Sequence, residues 1–361
     1  MIKRFSYSLM ILVAVAVSLA FPAPFVEIGG FQLKGLIVPL LQVIMFGMGT
    51  AMSPEDFRGV LKMPKGVLVG MVCQLTIMPL IGWGIASTFG FPPEIAAGII
   101  LVGSSPSGLA SNVMSYLAKA NLVLSVTLTA VATMIAPLFT PFLMQSLAGT
   151  LVPIDFWGMM ASIIRIVIIP IGMGLIFNRI AFHPKESEGW RWLGLTGLLV
   201  ISSWWIPDAQ WAYVLTGGWL FLLIGKLFRS RAELIKQFMP LVSMAGIALI
   251  ITIITANGRD SLLEVGGLLI VACILHNAAG YGLGYGACKL MKMPERDCRT
   301  IALEVGMQNS GLASGLALEM GKVATVGLAP AVFGPLMNMT GSSLAMFWRG
   351  KIGNSDNPPL I

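Results

Sequence analysis

Runs of residues apolar enough and long enough to cross a bilayer recur along this whole chain, and they constrain every other reading. A membrane-spanning helix needs about 20 mostly apolar residues. Such runs lie near 5–25, 35–53, 65–89, 92–118, 121–147, 155–178, 190–206, 211–228, 237–256, 262–291, 296–319 and 322–349. The chain is 56% hydrophobic and only 11% charged, against roughly a quarter charged in an average soluble protein. The pattern predicts an all-α integral membrane protein, one transmembrane domain over 1–361, with no segment left for a soluble catalytic module.

Several function classes fall away on composition. The four cysteines, Cys73, Cys273, Cys288 and Cys298, sit in or beside apolar runs without metal-ligand spacing and read as free thiols. His183 and His276 are isolated, so no histidine metal cluster is expected, and no nucleophile with a nearby base suggests an enzyme. The net charge of +7 invites a nucleic-acid reading, but its residues are spread over short loops. If the N-terminus is cytoplasmic, all of the 23 Lys and Arg except Lys34, Arg165, Arg259 and Lys322 fall on that side. The positive-inside rule then places both termini in the cytoplasm and calls for an even number of spans. The basic head and apolar middle of residues 1–25 resemble a signal peptide. They lack a clean small-x-small cleavage site and read as a retained first helix.

Two runs are interrupted in the same way. The fourth contains GSSPSGLASN, Gly103 to Asn112, and the eleventh contains EVGMQNSGLASG, Glu304 to Gly315. Both hold the pentapeptide SGLAS, at Ser107–Ser111 and Ser310–Ser314. Backbone freed from a helix at membrane depth is tolerated only where protein buries it or it lines a cavity. Matching proline and glycine breaks in two halves point to paired broken helices, as in transporters built from repeats. The breaks are seven helices apart, an odd number, so the repeats would run in opposite directions. Chance recurrence remains open on the pentapeptide alone, because Gly, Ala, Ser and Leu are common in tightly packed membrane helices.

Glu304 is the sharpest feature, since a carboxylate at depth normally faces a cavity or a cation. A neutral or Arg165-paired Glu304 is the bland alternative. Hard cations prefer oxygen ligands. Glu304, the side-chain oxygens of Gln308 and Ser111, the amide oxygen of Asn112 and carbonyls released at the breaks supply them. Ser125 and Thr129 lie one turn apart and point the same way, though each could instead bond back to its own helix. Gln74 sits beside Thr76 in the third run.

These residues carry a resemblance. The sequence resembles the bile acid:sodium symporter family over nearly its whole length. The likeness is strongest in CQLTIMPL, in GSSPSGLASNVMSYLAKANLVLSVTLTAVATMIAPLFTP, in EVGMQNSGLA and in MNMTGSSLAMFW. The resemblance implies ten helices in two inverted five-helix repeats, about 1–150 and 151–350, arranged as a panel and a core whose broken helices cross. It implies two sodium ions. The first would be held by Ser111, Asn112, Ser125, Thr129 and Glu304. The second would take Gln74, Glu304 and Gln308 with the carbonyls of Val305 and Met307. The substrate region matches less well: Leu109 replaces a small polar residue, and a usual His-Asn pair reads Met337-Asn338. Asn309 is retained and could bond a carboxylate. Leu109, Asn309 and Asn338 are the substrate-site expectations.

Residues 190–228 fit an inserted two-helix hairpin carrying Trp190, Trp192, Trp204, Trp205, Trp211 and Trp219. An even insertion preserves the orientation of every later helix, and the hairpin reads as facing lipid or a second copy rather than carrying transport chemistry. The resulting expectation is a multi-pass cell-membrane symporter, in the inner membrane if Gram-negative, moving sodium with a small organic anion and binding no nucleic acid. A bile acid, a pantoate-like acid and a 2-oxo acid all suit the site. A proton-coupled carrier using Glu304 and an uncoupled channel or membrane scaffold stand as alternatives, and the sequence leaves oligomeric state open.

Overall fold

The computed structural model of the chain describes residues 11, 13–182, 186–204, 209–227 and 232–351. Apart from a hairpin of two short strands, Glu27–Ile28 and Phe31–Gln32, it is helical. That hairpin turns at Gly29 and Gly30, both with positive φ, which glycine adopts without steric cost. The principal helices are α1 (Ile37–Ala51), α2 (Pro54–Lys62), α3 (Pro64–Thr88), α4 (Pro93–Ser104), α5 (Leu109–Leu117), α6 (Leu122–Ala148) and α7 (Phe156–Ile163). After a π turn at Ile164–Ile168 come α8 (Ile169–Phe182), α9 (Glu186–Ser203), α10 (Ala209–Leu227), α11 (Ala232–Asn257) and α12 (Arg259–Leu290). The chain ends in α13 (Glu295–Gly306), α14 (Ser310–Glu319) and α15 (Leu328–Lys351).

Among the described residues, six stretches are long and apolar enough to cross a membrane: Leu33–Ala51, Pro64–Thr88, Leu122–Ala148, Phe156–Ile180, Gln237–Asn257 and Arg259–Leu290. This is a multi-pass, all-α membrane protein. Two differences from the sequence reading have local causes. Helix α2 carries four charged residues in nine and so leaves no apolar run; the Ser53 backbone N–H donates to Asp56 Oδ2 at 2.7 Å and fixes its start. The last helix begins at Leu328 rather than 322, because Gly321 takes φ 71° and the chain turns through 322–327. The expected first helix is described only at residue 11 and from residue 13 onward, where 13–20 are helical. Lys3, Arg4, Lys185, Arg229 and Arg231 of the charge pattern, and Trp205 of the hairpin, lie outside the described residues.

Both interrupted runs are broken where the motifs stand. The first gives α4 and α5 around Ser105–Gly108, the second α13 and α14 around Met307–Asn309. Pro106 explains the first: the residue before a proline is pushed out of the helical region, and Ser105 is extended at φ −81°, ψ 151°. At the second, Met307 is extended and the Asn309 side-chain oxygen accepts from the Leu312 N–H at 3.0 Å, capping α14. The two breaks meet. Ser107 and Gln308 pair as an antiparallel bridge, and the Asn309 N–H donates to the Pro106 carbonyl at 2.7 Å.

Freed carbonyls need partners where water is scarce. Gln74 Nε2 donates to the Ser105 carbonyl at 3.1 Å, and Asn277 Nδ2 donates to the Gly306 carbonyl at 2.8 Å. Each amide thus serves one break, from α3 and α12 respectively.

Helices α9 and α10 pack on each other and on α8. They form a small separate apolar cluster in which Leu193 and Leu222 meet Phe46, Met173, Phe177, Ile180 and Met239. Trp190 and Trp204 are exposed. The α9–α10 hairpin therefore packs on α8 through a cluster separate from the one around the crossing of the breaks.

Candidate functional site

Glu304, in the last turn of α13, is 2% exposed. Its Oε1 accepts from Ser125 Oγ at 2.5 Å, and its Oε2 accepts from Ser107 Oγ at 2.6 Å and Thr129 Oγ1 at 2.9 Å. The same Ser125 and Thr129 hydroxyls lie 2.8 and 3.1 Å from Asn112 Oδ1 on α5. Ser125 and Thr129 project together from α6 because they are four residues apart. The bond back to their own helix does not form.

This cluster has more oxygen lone pairs than protons. A hydroxyl carries one proton, yet Ser125 and Thr129 each stand within bonding distance of both a carboxylate oxygen and the Asn112 oxygen. Four elements, α5, α6, α13 and the first break, thus converge on an oxygen-rich, buried cage centred on the Glu304 carboxyl group. Its donor chemistry fits a small hard cation. Ser111 is buried beside it and donates to the Gly108 carbonyl at 2.7 Å.

Beside the cage, Gln308 is fully buried. Its Oε1 accepts from Gln74 Nε2 at 2.7 Å, and its own Nε2 donates to the Val305 carbonyl at 2.6 Å. Gln74 Oε1 is buried with no hydrogen-bond partner. Gln74, Gln308 and Val305 therefore form one contact group next to Glu304, with Met307 as the extended residue between them. Thr76, by contrast, bonds back to the Val72 carbonyl and is exposed.

The alternative pairing of Glu304 with Arg165 is not what forms: Arg165 pairs with Glu319. Sequence reasoning misses Ser107 as a Glu304 partner although it opens the first SGLAS. It misses Asn277, which holds the second break, as well. A signal for Asn277 exists: Gln74 and Asn277 are 203 residues apart, as are the two pentapeptides.

The three substrate-site expectations lie around the crossing without bonding one another. Leu109 opens α5 and is half-buried, and the Gly108 before it packs on Asn309. The Asn309 oxygen is taken by its capping bond, so its free capacity is the amide N–H donors that a carboxylate needs. Asn338 Nδ2 donates to the Gly334 carbonyl of its own helix at 3.0 Å, and Gly334 packs on Ser310.

Comparison with known proteins then identifies the lineage. The sodium bile acid symporter family matches residues 38–206. An uncharacterized sodium-dependent transporter, YocS, of Bacillus subtilis (strain 168) is 33% identical over 348 residues, 96% of this chain and 92% of that protein. The chain belongs to the sodium bile acid symporter family. It is also similar to probable sodium/metabolite cotransporters of chloroplasts. BASS2 of Oryza sativa subsp. japonica is 32% identical over 86% of this chain and 63% of its own length, and BASS1 of Arabidopsis thaliana is 28% identical over 86% and 65%. This is a family of transporters, not of enzymes.

Proposed function

We propose that the protein is a sodium-coupled symporter of a small organic anion working by alternating access. The observation that carries this reading is the cage around Glu304, whose oxygens outnumber the protons available to bridge them. A sodium ion there takes up the surplus lone pairs, with Ser111, Asn112, Ser125, Thr129 and Glu304 as its ligands. Because these belong to α5, α6 and α13, the ion draws three elements together. A second sodium ion uses Glu304, Gln74, Gln308 and the carbonyls of Val305 and Met307. For that ion Gln74 turns its amide, since its nitrogen now faces the Gln308 oxygen.

The organic anion lies where the cage ends, beside Leu109, Asn309 and Asn338. The matched breaks and the relatives named as sodium-dependent or sodium/metabolite carriers support this assignment. In this reading two inverted repeats, about 1–150 and 151–350, contribute a panel and a core, and the core moves against the panel. Binding energies are reciprocal, so sodium and anion each tighten the other.

The test is Glu304→Ala in proteoliposomes. Sodium-dependent uptake of the organic anion is expected to vanish while the purified variant stays folded, and sodium-stimulated transport at the parental rate would sink the assignment. A proton-coupled carrier using the same carboxylate would instead show uptake driven by a pH gradient in sodium-free buffer. A channel would pass sodium current without saturable anion uptake.

A further inference from the structure

Arg165 is a charged residue inside a membrane span that the cage does not use. It stands on the π turn between α7 and α8, with its side chain only 11% exposed. Among the described residues, its Nη2 lies 3.4 Å from Glu319 Oε2 and donates to Ser162 Oγ at 3.2 Å. Its Nη1 donates to Gln210 Oε1, and its guanidinium sits over the Trp211 ring at 5.6 Å. Ser162 Oγ in turn donates to Glu319 Oε2 at 3.0 Å. A guanidinium and a hydroxyl thus hold a carboxylate between them, and the carboxylate is the protein's own.

Glu319 is poorly placed without that partner. It is the last residue of α14, where the helix dipole is negative and disfavours a carboxylate. Gly311, Gly315 and Glu319 follow at four-residue spacing and share one face of α14. That face is shut: Gly311 and Gly315 press on Leu41 of α1, Gly315 also meets Ile166 of the π turn, and a Cβ at Gly315 would force the Leu41 side chain to shift. The second half of the other broken helix differs. Helix α5 packs on α6, α13 and α15, while its Val113 and Tyr116 are 54% and 64% exposed. Of the two second halves, α14 is the more deeply buried.

We propose that Arg165 and Ser162 form a docking site for the carboxylate of an incoming organic anion, closed in this state by Glu319, which the anion displaces. The proposal rests on the alternating-access reading above. An organic carboxylate offers Arg165 the same chemistry as Glu319. Once displaced, Glu319 is left at the negative end of its helix, which favours the parting of α14 from α1. Gln210 and Trp211 give the hairpin a part in this: they hold Arg165 from α10, which packs on α8.

The experiment uses Leu41→Cys as a reporter in nanodiscs without sodium, because Leu41 is fully buried under α14 and opening exposes it. The four native cysteines are buried and give the background rate of maleimide labelling. Pyruvate, pantoate, benzoate and taurocholate are the probes, with benzamide as the uncharged control. At least one carboxylate is expected to raise the labelling rate about five-fold, on the scale of one partly exposed ion pair, and benzamide to leave it unchanged. Glu319→Gln is expected to label quickly without any anion, and Glu319→Asp to label like the parent. Arg165→Gln is expected to label quickly and to lose its response to carboxylates. Ser162→Ala, which keeps the guanidinium, is expected to weaken that response. The proposal is overturned if no carboxylate accelerates labelling, if benzamide matches benzoate, or if Arg165→Gln still responds. Melting temperatures of the same samples with added sodium separate the two readings. A missing sodium shift counts against the coupling, and a missing anion response counts against the docking site.

Discussion

Ser107 shows how much one hydroxyl can carry in this membrane protein. It is 1% exposed and gives its proton to Glu304 at 2.6 Å, a hydrogen bond worth about 0.5–1.5 kcal/mol, more where its partner is ionised. Removing it leaves a buried carboxylate with one partner fewer and loosens the geometry that Asn112, Ser125 and Thr129 share. Ser107→Ala is expected to raise the sodium concentration for half-maximal uptake about ten-fold, with Ser107→Thr restoring most of it. Uptake titrated with sodium at saturating anion checks this, and an unchanged sodium requirement would show that Ser107 serves folding alone. The sequence exposes Glu304 because a carboxylate in an apolar run is conspicuous. It does not expose Ser107, because serine is common in packed membrane helices, and only the crossing of the two breaks brings residues 107 and 304 into contact.

At the scale of elements, the broken helices depend on glycine where helices approach closely. Gly315 is such a point, with Leu41 occupying the space a Cβ needs. Gly315→Ala is expected to push α14 from α1, lowering the melting temperature by a few degrees, since overpacking costs about 1–3 kcal/mol. It is also expected to slow uptake; an unchanged melting temperature and rate would mean that the two helices adjust freely. Both breaks are legible in the sequence, because proline, glycine and polar residues clustered inside an apolar run free backbone that only buried or cavity-lining positions tolerate at membrane depth. The amide that supports each is less so. Gln74 stands out by its polarity and its motif, but Asn277 stands beside His276 in the middle of α12, and its role depends on reaching the Gly306 carbonyl of another helix. Helix α2 is invisible for the opposite reason, having too many charges to form an apolar run.

Across the whole molecule, packing is divided between a large cluster around the crossing and the small one that joins the hairpin α9–α10 to α8. Whole-chain hydropathy locates the hairpin but not this division, which arises from contacts between Leu193, Leu222, Phe177 and Met173 that are remote in sequence. The division has a measurable consequence. Leu222 is fully buried in the small cluster, and Leu222→Ala there leaves a cavity costing about 2–5 kcal/mol. The variant is expected to melt several degrees lower than the parent. In the proposed function, by contrast, sodium would stabilise the folded chain through a cage built from α5, α6, α13 and the first break, none of which belongs to the hairpin. A ligand at about a hundred times its dissociation constant adds about 2.7 kcal/mol whatever the starting stability. The rise in melting temperature on adding sodium is therefore expected to be the same in Leu222→Ala as in the parent. A diminished rise would mean that the hairpin is energetically coupled to the cage and moves with it during transport.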